Sequence, residues 1–144
     1  MDIDIKILVV DTDTQRRSWT IDVLQSAEYS ATGASSFKAA RGLLGSRQYD
    51  LLVTNLRLEA YNGLHLVFES HVFHPHMPAI IIDSLPDASN ESQARKAGAA
   101  YLGAPPDAGR LMALVKTLLD EPMFLVRQKW IAEPMALAGT HTTN

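Results

Sequence analysis

The feature that most constrains this chain is an unalternated apolar run that stops abruptly in polar residues, Tyr49-Asp50-Leu51-Leu52-Val53-Thr54-Asn55-Leu56-Arg57-Leu58. A strand with one face in water alternates apolar and polar side chains, whereas a strand covered on both faces reads as continuous apolar sequence. Leu51-Leu52-Val53 therefore predicts a central strand of a parallel sheet, with Asn55 at its carboxyl end. In open α/β sheets that edge is where ligands bind, so the Asn55 amide falls where a reactive group is expected.

Two more runs have the same form. Ile5-Lys6-Ile7-Leu8-Val9-Val10 stops at Asp11-Thr12-Asp13-Thr14, and Pro78-Ala79-Ile80-Ile81-Ile82 stops at Asp83-Ser84. Tyr29 to Ala34 and Ala99-Ala100-Tyr101-Leu102 are short enough to be edge strands. Between the strands the period changes to that of helices. Thr14 is placed as the cap of a first helix whose apolar side carries Trp19, Val23 and Leu24, flanked by Ile21, with Arg16 and Arg17 on the other side. Ser35 or Ser36 caps a second helix with Phe37, Ala40, Leu43 and Leu44. Tyr61-Asn62-Gly63 is a turn before a third, with Leu64, Val67 and Phe68 as its apolar face. Pro86-Asp87 opens a polar fourth helix to about Ala97, and Pro105-Pro106-Asp107 opens a fifth carrying Leu111, Leu114, Val115, Leu118 and Leu119. Parallel strands need crossovers, and crossovers are right-handed. The expected fold is α/β: three layers, αβα, with a doubly wound five-stranded parallel sheet in the flavodoxin-like order 2-1-3-4-5.

At 144 residues, nearly half of them hydrophobic, the chain is sized for one domain, expected over 1–121, with 122–144 as an extension or linker. A net charge of −3 with both signs interspersed makes no basic stripe, so direct nucleic-acid binding is not expected. The absence of cysteine excludes thiolate catalysis and disulfides. No run reaches membrane-spanning length, and the expectation is a cytoplasmic protein.

Together these segments resemble the receiver domain of bacterial response regulators. The resemblance rests on Ile7-Leu8-Val9-Val10-Asp11-Thr12-Asp13, the Tyr49 to Leu58 run, Asn62-Gly63-Leu64, Pro78 to Ile82, and Ala97-Gly98-Ala99 with Tyr101-Leu102, in order, from about Ile5 to Leu119. It implies a module of two-component phosphorelay signal transduction. In that family an aspartate ending the third strand accepts a phosphoryl group from a histidine kinase, and two acids after the first strand hold magnesium. A Thr or Ser after the fourth strand and a Lys before a Pro after the fifth contact the phosphoryl oxygens. The chemistry requires a carboxylate nucleophile and cations that neutralise the transferring charge.

This sequence departs at each place. The acceptor position holds Asn55, and the acid pair is Asp11-Thr12 with Asp13 one residue on. The hydroxyl position falls on Asp83, or on Ser84 if the alignment slips by one, and the Lys position falls on Ala104 before Pro105. One residue fewer than the family's usual count separates Gly98 from Tyr101. The expectation is an atypical receiver, a pseudo-receiver that is not an enzyme and works by protein–protein interaction independently of phosphorylation. The alternative is a receiver phosphorylated on Asp11, Asp13 or Asp83 with a divalent cation. A flavodoxin-like enzyme or flavin carrier is disfavoured, because no Gly-rich phosphate loop follows the first strand.

The individual residues also have structural readings. Asn55 can hold the neighbouring loops, since an amide both donates and accepts. Asp11, Asp13 and Asp83 on one edge should raise at least one pKa or draw in a cation such as magnesium on Asp11 and Asp13; without a cation, protonation, solvent screening or a local arginine such as Arg57 must offset the charge. His71, His74 and His76 are read as a solvated turn in preference to a zinc or nickel site. Tyr101 stands where the family has its rotating switch aromatic, and is read either as that switch or as locked in one rotamer, a packing residue with a polar tip. Met123 to Ile131 is too apolar for a free end, and is expected to cover the last helix, start a linker or make a homodimer contact with that helix. Protein partners are expected: a kinase, an output domain or another signalling protein.

Overall fold

The computed structural model describes residues 4–103 and 106–120. The expectations for Ala104, Pro105 and the 122–144 extension lie outside the described residues.

The chain runs β1 (Lys6–Val10), α1 (Thr14–Ser26), β2 (Ser30–Ala34), α2 (Phe37–Ser46), β3 (Leu51–Asn55) and then two short strands, β4 (Arg57–Leu58) and β5 (Tyr61–Asn62). It continues α3 (Gly63–Phe73), β6 (Ala79–Asp83), α4 (Ala88–Lys96), β7 (Ala100–Gly103) and α5 (Ala108–Asp120). The main sheet has five strands in the order β2-β1-β3-β6-β7, every neighbouring pair parallel. That is the expected doubly wound order once the β4–β5 hairpin, which the sequence shows only as a turn, is set aside.

β3 and β6 are buried at every residue, as unalternated runs require. Their side chains divide by parity between two cores. Leu8, Val10, Leu52 and Ile81 face Leu44 of α2, Leu66 of α3 and Ala94 of α4. Ile7, Val9, Leu51, Val53 and Ile80 face Leu24 of α1 and Leu111, Val115 and Leu119 of α5.

Side-chain caps set where the helices begin: Asp13, Ser36, Asn62 and Asp87 each accept a backbone N–H three residues on. The first cap is therefore Asp13; Thr14 is already helical. Two helix faces also differ from expectation. In α1 the buried positions are Thr20 and Leu24, one turn apart, which leaves Trp19 37% exposed. In α3 they are Gly63, Leu66, Val67 and Ser70, and Phe68 points to solvent. Starting at Gly63 fixes that arc, and Gly63 is itself required: a Cβ there would lie 2.5 Å from the Asn55 backbone carbonyl oxygen.

Candidate functional site

The parallel sheet brings Asp11 after β1, Asn55 ending β3 and Asp83 ending β6 to its carboxyl edge. All three are buried. Each polar atom there needs a partner, and the structure supplies them from within the chain.

Asp11 is held by the first turn of α1. Its Oδ1 accepts the Asp13 N–H at 2.9 Å, turning the chain into the Asp13 cap. Arg16, the third helical residue, folds back over that cap and grips Asp11 with both arms, Nε to Oδ2 at 3.0 Å and Nη2 to Oδ1 at 2.9 Å. Its Nη1 lies 3.6 Å from Asp13 Oδ2. Arg17 donates from Nη1 to the Asp11 carbonyl at 2.7 Å. The fork geometry matches a carboxylate, so Asp11 is neutralised by a bidentate pair.

Asn55 uses both ends of its amide. Oδ1 accepts the Arg57 N–H at 3.0 Å, and Nδ2 points to Asp11 Oδ2 at 3.5 Å. Accepting on one side while donating to a carboxylate on the other is what an amide can do and a carboxylate cannot.

Asp83 is fully buried and is the most heavily bonded side chain of the edge. Arg57 pairs with Oδ1 through Nη1, and the Leu85 N–H donates to the same oxygen at 3.0 Å. Oδ2 accepts from Asn90 Nδ2 at 2.9 Å and from the Tyr101 hydroxyl at 2.6 Å. The carboxylate thereby ties β6 to the residue beginning β4, to α4 and to β7. Burial opposes its ionisation, but the hydrogen bonds from Tyr101, Arg57, Asn90 and Leu85 outweigh it and hold the carboxyl below its ordinary value. Tyr101 shifts the opposite way, to about 12, because burial and the Asp83 carboxylate both disfavour a phenolate. Asp13 is also lowered, chiefly by the Arg16 N–H it caps.

Neither Asp13 nor Asp83 is raised: hydrogen-bond donors and guanidinium groups of the chain itself outweigh the cost of burial at both. Arg57 takes the role expected of it. Arg16, which helical periodicity puts on the far side of α1, joins it unannounced. The signal for Arg16 is its place three residues after a capping aspartate, where an N-terminal side chain can turn back over the preceding loop. Asn90 is the other residue that sequence reasoning misses; it stands three residues after the Asp87 cap.

Thr12 and Ser84 are half-buried and lie one residue beyond Asp11 and Asp83. Two of the histidines are engaged by backbone carbonyls: His71 Nε2–H donates to that of Met77 at 3.1 Å and His74 Nε2–H to that of Leu44 at 2.9 Å. Among the described residues no group of three or more His, Cys, Asp or Glu is placed to hold a metal ion. Beside the edge, a cleft of about 460 Å³ is bordered by Arg57, Tyr61, His65, Asn90 and Gln93, with Tyr61 stacked on Phe37 at 4.4 Å.

Comparison with known proteins agrees with this architecture. The family described as response regulator receiver domain matches residues 7–116. The response regulator protein PilR of Pseudomonas aeruginosa is 36% identical over 115 residues, which are 79% of this chain and 26% of that protein. The chain thus spans about a quarter of the length of that curated relative. Among solved structures, a CheY-like response regulator receiver domain protein from Methanospirillum hungatei superposes with a TM-score of 0.77 at 24% identity, covering 82% of this chain and 95% of that one. A response regulator receiver domain protein from Clostridium thermocellum gives 0.76 at 25% identity, covering 84% and 98%.

Proposed function

Because this chain belongs to the response regulator receiver domain family, we propose that it is a pseudo-receiver, a signalling module that acts on protein partners without being phosphorylated. Receiver domains are in general non-enzymatic modules that interact with kinases or output domains. In this reading Asn55 occupies the phosphoacceptor position, Asp11, Thr12 and Asp13 the acidic pocket, Asp83 the hydroxyl position and Tyr101 that of the switch aromatic. Ala104 before Pro105 takes the place of the lysine. Residues 1–121 form the receiver-like unit and 122–144 an extension or linker.

The observation that carries the proposal is the bidentate Arg16–Asp11 pair. Phosphoryl transfer to a carboxylate needs a nucleophilic oxygen and free cationic charge directed at the transferring group. Asn55 offers an amide, and the guanidinium groups of Arg16 and Arg57 are already engaged by Asp11 and Asp83. The same arrangement does not fit a divalent cation, because both Asp11 oxygens receive hydrogen bonds from Arg16 and Asn55 Oδ1 receives one from the Arg57 N–H.

The test is incubation of the whole chain with acetyl phosphate and magnesium, followed by intact mass. The expected mass is unchanged. A stable gain of one phosphoryl group would overturn the proposal, and its location on Asp11, Asp13 or Asp83 would establish the non-standard receiver instead.

A further inference from the structure

The largest exposed apolar side chains of the described residues gather on α3 and not on α5. Phe68 is 60% exposed and Val72 74% exposed, one helical turn apart on the solvent side of α3, and Leu64, a turn before Phe68, is half-buried. Three apolar residues at this spacing form a stripe along an eleven-residue helix that already buries Leu66, Val67 and Ser70 on its inner side. The inner face is what the fold needs; Leu64 borders that core, and Phe68 and Val72 are additional to it.

The topology brings the last turn of α5 close to the end of the helix that carries that stripe. In a parallel sheet with crossover helices, the helices return antiparallel to the strands, so α3 and α5 both end at the amino edge of the sheet. A cleft of about 190 Å³ joins the two ends: Leu118, in the last turn of α5, lines it together with His71, Pro75, His76 and Gly98. His71 immediately precedes Val72. The last described turn of α5 therefore lies by the lower end of α3, the helix that carries the stripe. The sequence that follows contains Met123-Phe124-Leu125-Val126 and Trp130-Ile131. An extended residue spans about 3.3–3.6 Å, and the axis of α3 is about 16 Å long at 1.5 Å per residue, so this segment has the reach to cross the cleft and cover Val72 and Phe68.

We propose that the outer face of α3, centred on Phe68 and Val72, is the docking surface for the chain's own 123–131 segment, entered through the His71–Pro75–Leu118 cleft. The apolar stripe and the apolar segment cover each other, and a partner that takes up either one must first separate them. This inference is independent of how the carboxyl edge of the sheet is used.

The chain has two tryptophans, Trp19 and Trp130, so Trp19→Phe in the full chain leaves Trp130 as the reporter. Docking gives a blue-shifted Trp130 emission, insensitive to protein concentration, with acrylamide quenching several-fold weaker than that of a free peptide of residues 121–144. Adding Val72→Asp or Phe68→Asp, at positions exposed enough to leave the core intact, moves the emission to the red and restores quenching. Leu85→Asp, on the 69% exposed Leu85 at the opposite edge of the sheet, leaves it unchanged. A water-like emission from the outset, or one that ignores Val72→Asp and Phe68→Asp, overturns the proposal. So does a blue shift that fades on dilution, which would assign the stripe to a second copy. Because the chain lacks cysteine, a Val72→Cys, Trp130→Cys pair gives an independent readout: oxidation yields an intrachain disulfide in the monomer, while Leu85→Cys, Trp130→Cys yields none. Disulfide formation to equal extents in both pairs contradicts the proposal.

Discussion

Arg16 holds the Asp11 carboxylate with two hydrogen bonds of 3.0 and 2.9 Å, from a helix whose cap, Asp13, is itself positioned by Asp11. The loop after β1 is thereby a closed electrostatic unit. Its acids are neutralised by a guanidinium group of the chain itself.

The first consequence concerns Arg16→Ala. The substitution leaves the Asp11 side chain, only 9% exposed, without its bidentate partner. The expected loss is about 1–3 kcal/mol of stability in urea unfolding. The freed carboxylate should also give a magnesium binding heat in calorimetry that the unsubstituted chain lacks. Equal heats in both proteins would contradict the assignment of Arg16 as the resident cation.

Acid stability should report on Asp83. Its carboxyl is held below the ordinary value in the folded state, so its contribution is fully present above an unfolded pKa of about 3.9 and disappears as pH falls through the folded value. Asp83→Asn should cost about 1–3 kcal/mol at neutral pH. The difference from the unsubstituted chain should shrink below about pH 4, where the unfolded carboxyl takes up its proton before the folded one does. A pH-independent difference would mean that the charge is not what Asp83 contributes.

The alkaline limb should report on Tyr101. A phenol held at about 12 keeps its proton where an unfolded tyrosine loses it near about 10, so this stabilisation is intact below pH ~10 and is lost as pH rises toward the folded value. In an ultraviolet titration, one of the four phenols should ionise near 12, and Tyr101→Phe should remove that step. Its persistence in Tyr101→Phe would assign the step elsewhere.

Gly63→Ala probes the junction of β3 with α3. The added carbon would meet the Asn55 backbone carbonyl oxygen at 2.5 Å, with Thr54 and Ile81 at 3.1 and 3.2 Å behind it. Neither the backbone oxygen nor the buried strands can yield cheaply, so the loss should be about 1–3 kcal/mol. Thermal unfolding unchanged by the substitution would show that the α3 start can shift.

Much of the fold is legible in the sequence because burial on both faces leaves an unmistakable pattern. Leu51-Leu52-Val53 and Ile80-Ile81-Ile82 mark β3 and β6, and the polar residues ending them mark the edge where Asn55 and Asp83 meet Asp11 and Tyr101. Less legible are features that depend on a residue or two of helix phase. The cap falls on Asp13 instead of Thr14, and the buried side of α1 carries Thr20 and Leu24, with Trp19 turned outward. The apolar pattern of α3 turns Phe68 inward for the same reason, and its actual exposure moves the apolar surface of interest onto that helix. Arg16 escapes because helical periodicity describes where a Cα faces, whereas a long side chain in the first turn can return to the preceding loop.

In the proposed reading, closure by Arg16 and Arg57, and not merely the amide at position 55, keeps the edge from accepting phosphate. The most direct measurement is the intact mass of Asn55→Asp after acetyl phosphate and magnesium, because that variant restores the carboxylate and leaves both guanidinium groups where they are. The predicted result is no stable phosphoryl gain, with the mass equal to that of the untreated variant. Stoichiometric phosphorylation on the introduced carboxylate would contradict the account and show that the acceptor was the only group missing.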